Sequence, residues 1–212
     1  MKRICTTSMN SSSQRATLAV GLGLVALLAM SRGLTAAATT PEELIGDTAT
    51  RVLEILRNEQ LSFNQKAQEL ESFLDDCCDF ATTAKLSMGR NWNSLSAAQQ
   101  AEFTGLFKQY LIVTYRDNIN SYGGQSVDVT GGRTEVRGDY TVHTLIKGGD
   151  TKEPIVVDYR LRKVTTGDWR IIDVIAEGIS LISNLRSQFQ EIISARGPDG
   201  LLRTLREKTE RS

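Results

Sequence analysis

Few side chains in this sequence have types that do acid–base or thiol chemistry: one histidine, His143, the carboxylates Asp158 and Asp173, and the adjacent pair Cys77 and Cys78. A histidine base needs an orienting carboxylate and a pocket. Asp139 is near in sequence, yet four residues along a strand is about 13 Å. Alternation turns His143 away from Tyr140 and Val142, as an edge or surface residue. Asp158 shares its face with Arg160 and Arg162, the pattern of a solvated charged face. An enzyme using Asp158, Asp173 or His143 inside a cone-shaped fold is the competing expectation. There is no nucleophile elbow, phosphate-cradling glycine loop or HExxH motif. Adjacent cysteines do not make a normal disulfide framework. They read as reduced thiols partly buried on a helix, or as a vicinal or intermolecular disulfide in an oxidising compartment. One histidine and two neighbouring cysteines do not supply spaced metal ligands. The expectation is therefore no enzyme, no metal and no cofactor.

The elements that would position these groups change period along the chain. Thr40, Pro41 and Glu43 form a helix start with a capping box. Ile45, Ala49, Val52, Leu53 and Leu56 follow on one face. A second helix starts near Ser62, carrying Ala67, Leu70, Phe73 and Leu74. A third runs from Asp79 to Leu86. Ser96 and Gln99 cap a long helix to about Ser121 with Phe103, Phe107, Leu111 and Tyr115 on its apolar stripe. Then the period falls to 2. Val127 to Val129 is a short strand, Gly131-Gly132 a turn, and Thr134 to Val136 a continuation. Tyr140 to Ile146, Ile155 to Leu161 and Trp169 to Ile175 are strands joined by hairpins at Gly148-Gly149-Asp150 and Thr166-Gly167-Asp168. The chain breaks at Glu177-Gly178, and Ser180 caps a helix to about Ala195. Gly197-Pro198 stops it, and a charged amphipathic helix begins near Asp199. The fold class is α+β: a helical N-terminal half, a curled antiparallel meander of about four strands, and C-terminal helices packed over it to enclose an apolar cavity.

The first 38 residues read as an address. Lys2, Arg3 and Arg15 precede an apolar run from Leu18 to Met30, too short for a membrane span of roughly 20 residues. Ala36-Ala37-Ala38 is a small-residue cleavage site. The expected layout is a signal peptide over residues 1–38 and a single domain over 39–212. The leader holds four of the chain's 25 basic residues and none of its 25 acidic ones, so the remainder has a net charge of about −4. Such a surface has no electrostatic reason to seek nucleic acid or an anionic bilayer.

The stretch from Trp169 to Phe189, WRIIDVIAEGISLISNLRSQF, carries apolar side chains on both sides of its break. It resembles the signature of MlaC-type periplasmic phospholipid-binding proteins. Here Asp168-Trp169 replaces the family's Gly-Trp, and Asn184-Leu185-Arg186 replaces Asn-Tyr-Arg. Asp79-Phe80 with Gly89-Arg90-Asn91-Trp92, the helix carrying Gln99, Phe103, Phe107, Leu111 and Tyr115, and Pro154-Ile155 through Leu161 are similar to further family segments in the same order. The resemblance covers roughly Leu70 to Lys208. It implies a toluene-tolerance or ABC-transporter auxiliary component: a periplasmic monomer holding one phospholipid by its acyl chains. Its implied partners are an outer-membrane lipoprotein complex and the MCE-domain protein of an inner-membrane ABC transporter, with transient contact at membrane complexes, in support of outer-membrane lipid asymmetry. A hopanoid-associated branch of the HpnM type is an alternative, and a structural adaptor with a solid core is another. The expected tail contacts are Trp92, Phe107, Leu111, Tyr115, Val157, Tyr159, Trp169, Ile171, Ile179, Ile182, Leu185 and Phe189. Arg186 or Arg160 would meet a phosphate, or else pair with a surface acid.

Overall fold

Capping side chains set where each helix begins. The structure, a computed structural model, describes residues 39–115, 119, 122–149 and 153–210. The leader with its cut after Ala38, the extension of the long helix to Ser121, and Asp150 of the hairpin lie outside them. Helix α1 (Pro41–Arg57) opens on a capping box between Thr40 and Glu43. Helix α2 (Phe63–Cys77) opens on one between Ser62 and Gln65. Asp79 caps α3 (Phe80–Met88), which ends at Gly89 in a conformation reserved for glycine (φ 56°). A 3-10 turn, Gly89–Ser94, leads to α4 (Ala97–Tyr115), capped by Ser96 and Gln99. Each such reciprocal pair satisfies amide donors that a helix start leaves open.

The strands β1 (Ser126–Thr134), β2 (Tyr140–Lys147), β3 (Ile155–Lys163), β4 (Trp169–Ala176) and β5 (Ile179–Ser180) form one antiparallel sheet in sequence order. The sheet is an open one of five strands, not four, because Ile179 and Ser180 double back onto Ala176 and Ile175. The turn expected at Gly131-Gly132 is instead part of one bulged strand. The β1 register slips between Val129 and Gly131 while pairing with β2 continues to Thr134. Gly132 allows a close approach there: a Cβ would stand 2.5 Å from the Tyr140 ring and 2.9 Å from the Glu42 carboxylate. Tyr140 donates its phenol proton to Glu42, tying α1 to β2.

Helix α5 (Leu181–Glu210) contains a break at Gly197 (φ 68°, ψ 177°), where the expected stop divides it into two helical pieces. Its first part joins α3 and α4 in a core of Phe103, Phe107, Tyr110, Ile182, Leu185 and Phe189, with Leu201, Leu202 and Leu205 beyond the break. The aromatic rings of this core, with Trp92 against them, pack at centroid distances of 5.7 to 6.3 Å, mostly edge to face. A second, smaller core of Ile45, Cys77, Val142, Leu161 and Ile171 lies between α1, α2 and the inner face of the sheet.

Candidate functional site

The two halves of the molecule are filled differently. Four aromatic rings and Trp92 occupy the helical core. Between α1 and the sheet the facing side chains are short or branched. Helix α1 presents Ile45, Thr48, Ala49, Val52, Leu53 and Leu56; the sheet presents Val127, Ile146, Ile155, Ile171 and Val174. These do not meet across the gap. A cavity of about 410 Å³ remains, walled by Leu74, Cys78 and Tyr159 on one side, with Tyr122, Gln125 and Gly148 around one end. None of its lining residues is charged.

A second cavity of about 240 Å³ lies between α2, Phe80, the end of α4 and Leu181. Leu74, Cys78 and Val174 belong to both walls, so these three side chains are the partition between the two spaces. The one charged residue on the second wall, Glu71, pairs with Lys108 at 3.5 Å. A third, shallower depression of about 480 Å³ continues outward past Tyr115, Val174 and Leu181 to Ile179 and Asn184. Ile179 is 66% exposed, so apolar surface reaches the rim.

Local backbone features put Cys78 and Val174 in this partition. After α2 the chain runs beside β4, with Cys78 bridged to Ile171 and the Asp79 amide donating to the Ile171 carbonyl at 3.0 Å. Strand β4 is bulged at Ile172, since Leu161 faces Ile171 while Arg160 faces Asp173. The extra residue returns Val174 to the inner face. It also sends Asp173 outward, where its carboxylate accepts from Ser180 Oγ at 2.6 Å and from the Ile182 amide at 3.1 Å. Ser180 in turn accepts from the Ser183 amide. Both Asp173 oxygens thus anchor the start of α5.

The thiols are free and their sulfurs stand 3.9 Å apart. The hydrogen bond from Cys78 holds the Cys77 thiol below its usual pKa; the same bond, with burial, holds Cys78 well above it. Thr48 lies beside Cys77, and its hydroxyl adds to the lowering of that thiol. Burial raises the Tyr159 phenol as well.

His143 has a partner that strand-wise reasoning missed. Cross-strand register sets it opposite Asp158, with Nδ1 2.8 Å from Asp158 Oδ1. Asp139 goes to Arg162 in a bidentate pair at 2.7 and 2.8 Å. The His143–Asp158 pair is on the outer face of the sheet, opposite to Val142 and Ile146, and lines none of the three cavities. His143 and Asp158 bond to each other, and Asp173 bonds to the start of α5. Among the described residues no cluster of three or more His, Cys, Asp or Glu could hold a metal ion. Nor, among them, is any helix long and apolar enough to cross a membrane.

Of the twelve expected tail contacts, Tyr159 and Ile171 line the first cavity, Leu111 and Tyr115 the second, and Tyr115 and Ile179 the third. The other seven line none of these three cavities. Trp92, Phe107, Ile182, Leu185 and Phe189 belong to the filled helical core. Trp169 packs against Tyr140 at 6.0 Å under Lys163, and Val157 is buried on β3. The rings of Trp92, Phe107, Phe189 and Trp169 pack against other aromatic rings. Arg186 donates to the Leu86 carbonyl at 2.8 Å, away from the cavities, and Arg160 is on the outer face beside Asp173. The apolar face of α1 was legible as a stripe but not as a cavity wall. Its lack of aromatic residues is the signal that it does not fill the space it faces.

Fold and interior together define an α+β protein with an open antiparallel sheet built around an apolar, uncharged chamber. A sequence profile of the family described as MlaC protein matches residues 46–207. The chain belongs to the MlaC family. It is 27% identical over 182 residues to the toluene tolerance protein ttg2D of Pseudomonas putida, covering 84% of each chain. It is 19% identical over 177 residues to the intermembrane phospholipid transport system binding protein MlaC of Haemophilus influenzae, covering 81% of this chain and 83% of that one. A solved structure of the phospholipid-binding protein from Ralstonia solanacearum, in complex with a phospholipid, superposes with a TM-score of 0.71. It is 25% identical and covers 82% of this chain and 98% of that one.

Proposed function

We propose that this protein is a periplasmic carrier that holds a phospholipid by its acyl chains. The observation that carries the reading is the uncharged chamber between α1 and the sheet, with its neighbour across Leu74, Cys78 and Val174. An unfilled apolar space is expensive. The apolar lining of this 410 Å³ space has no partner atoms facing it, so an apolar guest gains burial against every wall. A resident apolar guest removes that cost. Two acyl chains of about 30 methylenes in all carry roughly 24 kcal/mol of transfer free energy. Escape into water is then negligible, and cargo is exchanged by contact with partners.

The names of the Haemophilus and Ralstonia relatives support phospholipid as the cargo. In this reading residues 1–38 are a cleaved signal peptide and 39–212 the carrier domain. The domain takes lipid between an outer-membrane lipoprotein complex and the MCE-domain protein of an inner-membrane ABC transporter, in support of outer-membrane lipid asymmetry. Leu111, Tyr115, Tyr159, Ile171 and Ile179 are the expected contacts that touch the tails. The protein acts without catalysis or cofactor, because moving a lipid intact breaks no bond. Native mass spectrometry of protein purified without detergent tests this. The expected result is one phospholipid per folded chain; empty chains throughout would overturn the reading, and a polycyclic lipid in its place would reassign the cargo.

A further inference from the structure

The first cavity has a closed end and an open one. At the closed end Ile45, Thr48 and Ile171 are buried. At the other end Leu56, Tyr122 and Gln125 are partly exposed and Gly148 is exposed. There α1 stops, β2 ends, and β1 and β3 begin.

Arg57, the residue after Leu56, is exposed on this rim. Its Nε donates to the Tyr122 hydroxyl at 2.7 Å, and Nη2 donates to the Gln125 carbonyl at 3.5 Å. Both partners line the cavity, and both are neutral. None of the ion pairs among the described residues involves Arg57. Arg51, on the same helix, is paired with Glu54 and Glu69.

We infer that Arg57 is the anchor for the phosphate of the bound lipid, at the open end of the first cavity, with the tails directed toward Ile45 and Ile171. The inference rests on the carrier reading above and names the residue that reads its cargo's headgroup. A guanidinium offers a planar set of donors that matches two phosphate oxygens at once. With Nε held by Tyr122, the plane is fixed across the rim rather than free in solvent. The chain after the leader carries a net negative charge of about −4, so general electrostatics would repel a phosphate. A local cation on the rim is what makes a phosphodiester acceptable there and distinguishes it from a neutral diacylglycerol with the same tails.

The test loads delipidated protein from vesicles containing equal phosphatidylglycerol and diacylglycerol of identical chains, and counts bound species by native mass spectrometry. Wild type is expected to favour phosphatidylglycerol by about tenfold, the ratio one charge-assisted contact supplies. Arg57→Gln is expected to bring the two lipids within about twofold, and Arg57→Lys to restore part of the preference. Arg51→Gln, a charge removed from the same helix away from the cavity, is the control expected to match wild type. Inorganic phosphate at millimolar concentration is expected to displace nothing. If phosphate competes, Arg57 is a free-phosphate site and the headgroup assignment falls. An unchanged preference in an Arg57→Gln protein of normal melting temperature also overturns it. If wild type takes up neither lipid, it is the carrier reading that fails.

Discussion

Tyr159 is the residue at which the chamber's dryness can be read by titration. It projects from β3 into the first cavity, and burial raises its phenol above the usual pKa near 10, with the neighbouring Cys78 thiol adding to the shift. For an acid raised in the folded state, the folded protein binds more protons than the unfolded one at alkaline pH. Its contribution is therefore fully present below the unfolded value near 10 and is lost as pH rises through the higher folded value. Calorimetric melting temperatures of the empty protein should hold up to about pH 10 and fall beyond it. Tyr159→Phe should flatten that fall while costing little at pH 7. An equally steep fall in the variant would assign the alkaline loss to other groups and remove the evidence that Tyr159 faces a poorly solvated space.

At the scale of elements, the join between β4 and α5 decides what the sheet faces. Asp173 receives the Ser180 hydroxyl and the Ile182 amide because the bulge at Ile172 has turned it outward. Asp173→Ala removes a cap and strands a buried amide. It is expected to lower stability by about 1–2 kcal/mol, a drop of several degrees in melting temperature, without changing lipid per folded chain. Loss of lipid binding with unaltered stability would instead give the carboxylate a direct role. The sequence made much of this join legible: Ser180 as a cap, the break at Gly178 (φ 78°) and the helix starts at Thr40, Ser62 and Ser96 all depend on local chemistry. The bulges were not legible. A period-2 pattern has no way to register an inserted residue, and the slips at Thr130 and Ile172 are decided by pairing with neighbouring strands. Strict alternation therefore puts Val174 outside, whereas it lines all three cavities. The same limit hid the His143–Asp158 pair, which exists only through register.

At the scale of the whole molecule, one hydrophobic pattern serves two ends. Phe103, Phe107 and Phe189 fill the space between α4 and α5 and make a rigid support. The branched aliphatics of α1 and the sheet leave theirs open. Periodicity marks both sets as apolar; only the volume on the facing element separates core from chamber. Opposite substitutions expose the difference. Phe107→Ala cuts a cavity into a filled core and should cost about 3–5 kcal/mol, yet leave lipid per folded chain close to wild type. Ala49→Phe places a ring into the first cavity. Added apolar burial should raise the stability of the empty protein by up to about 3 kcal/mol while reducing the lipid retained. Denaturant melts of delipidated protein, with native mass spectrometry after reloading, give both quantities for each variant. A chamber meant for cargo is one whose filling stabilises the protein and abolishes its function together. If Ala49→Phe destabilises the chain and still carries a full complement of lipid, the cargo lies elsewhere and the space beneath α1 is a packing defect.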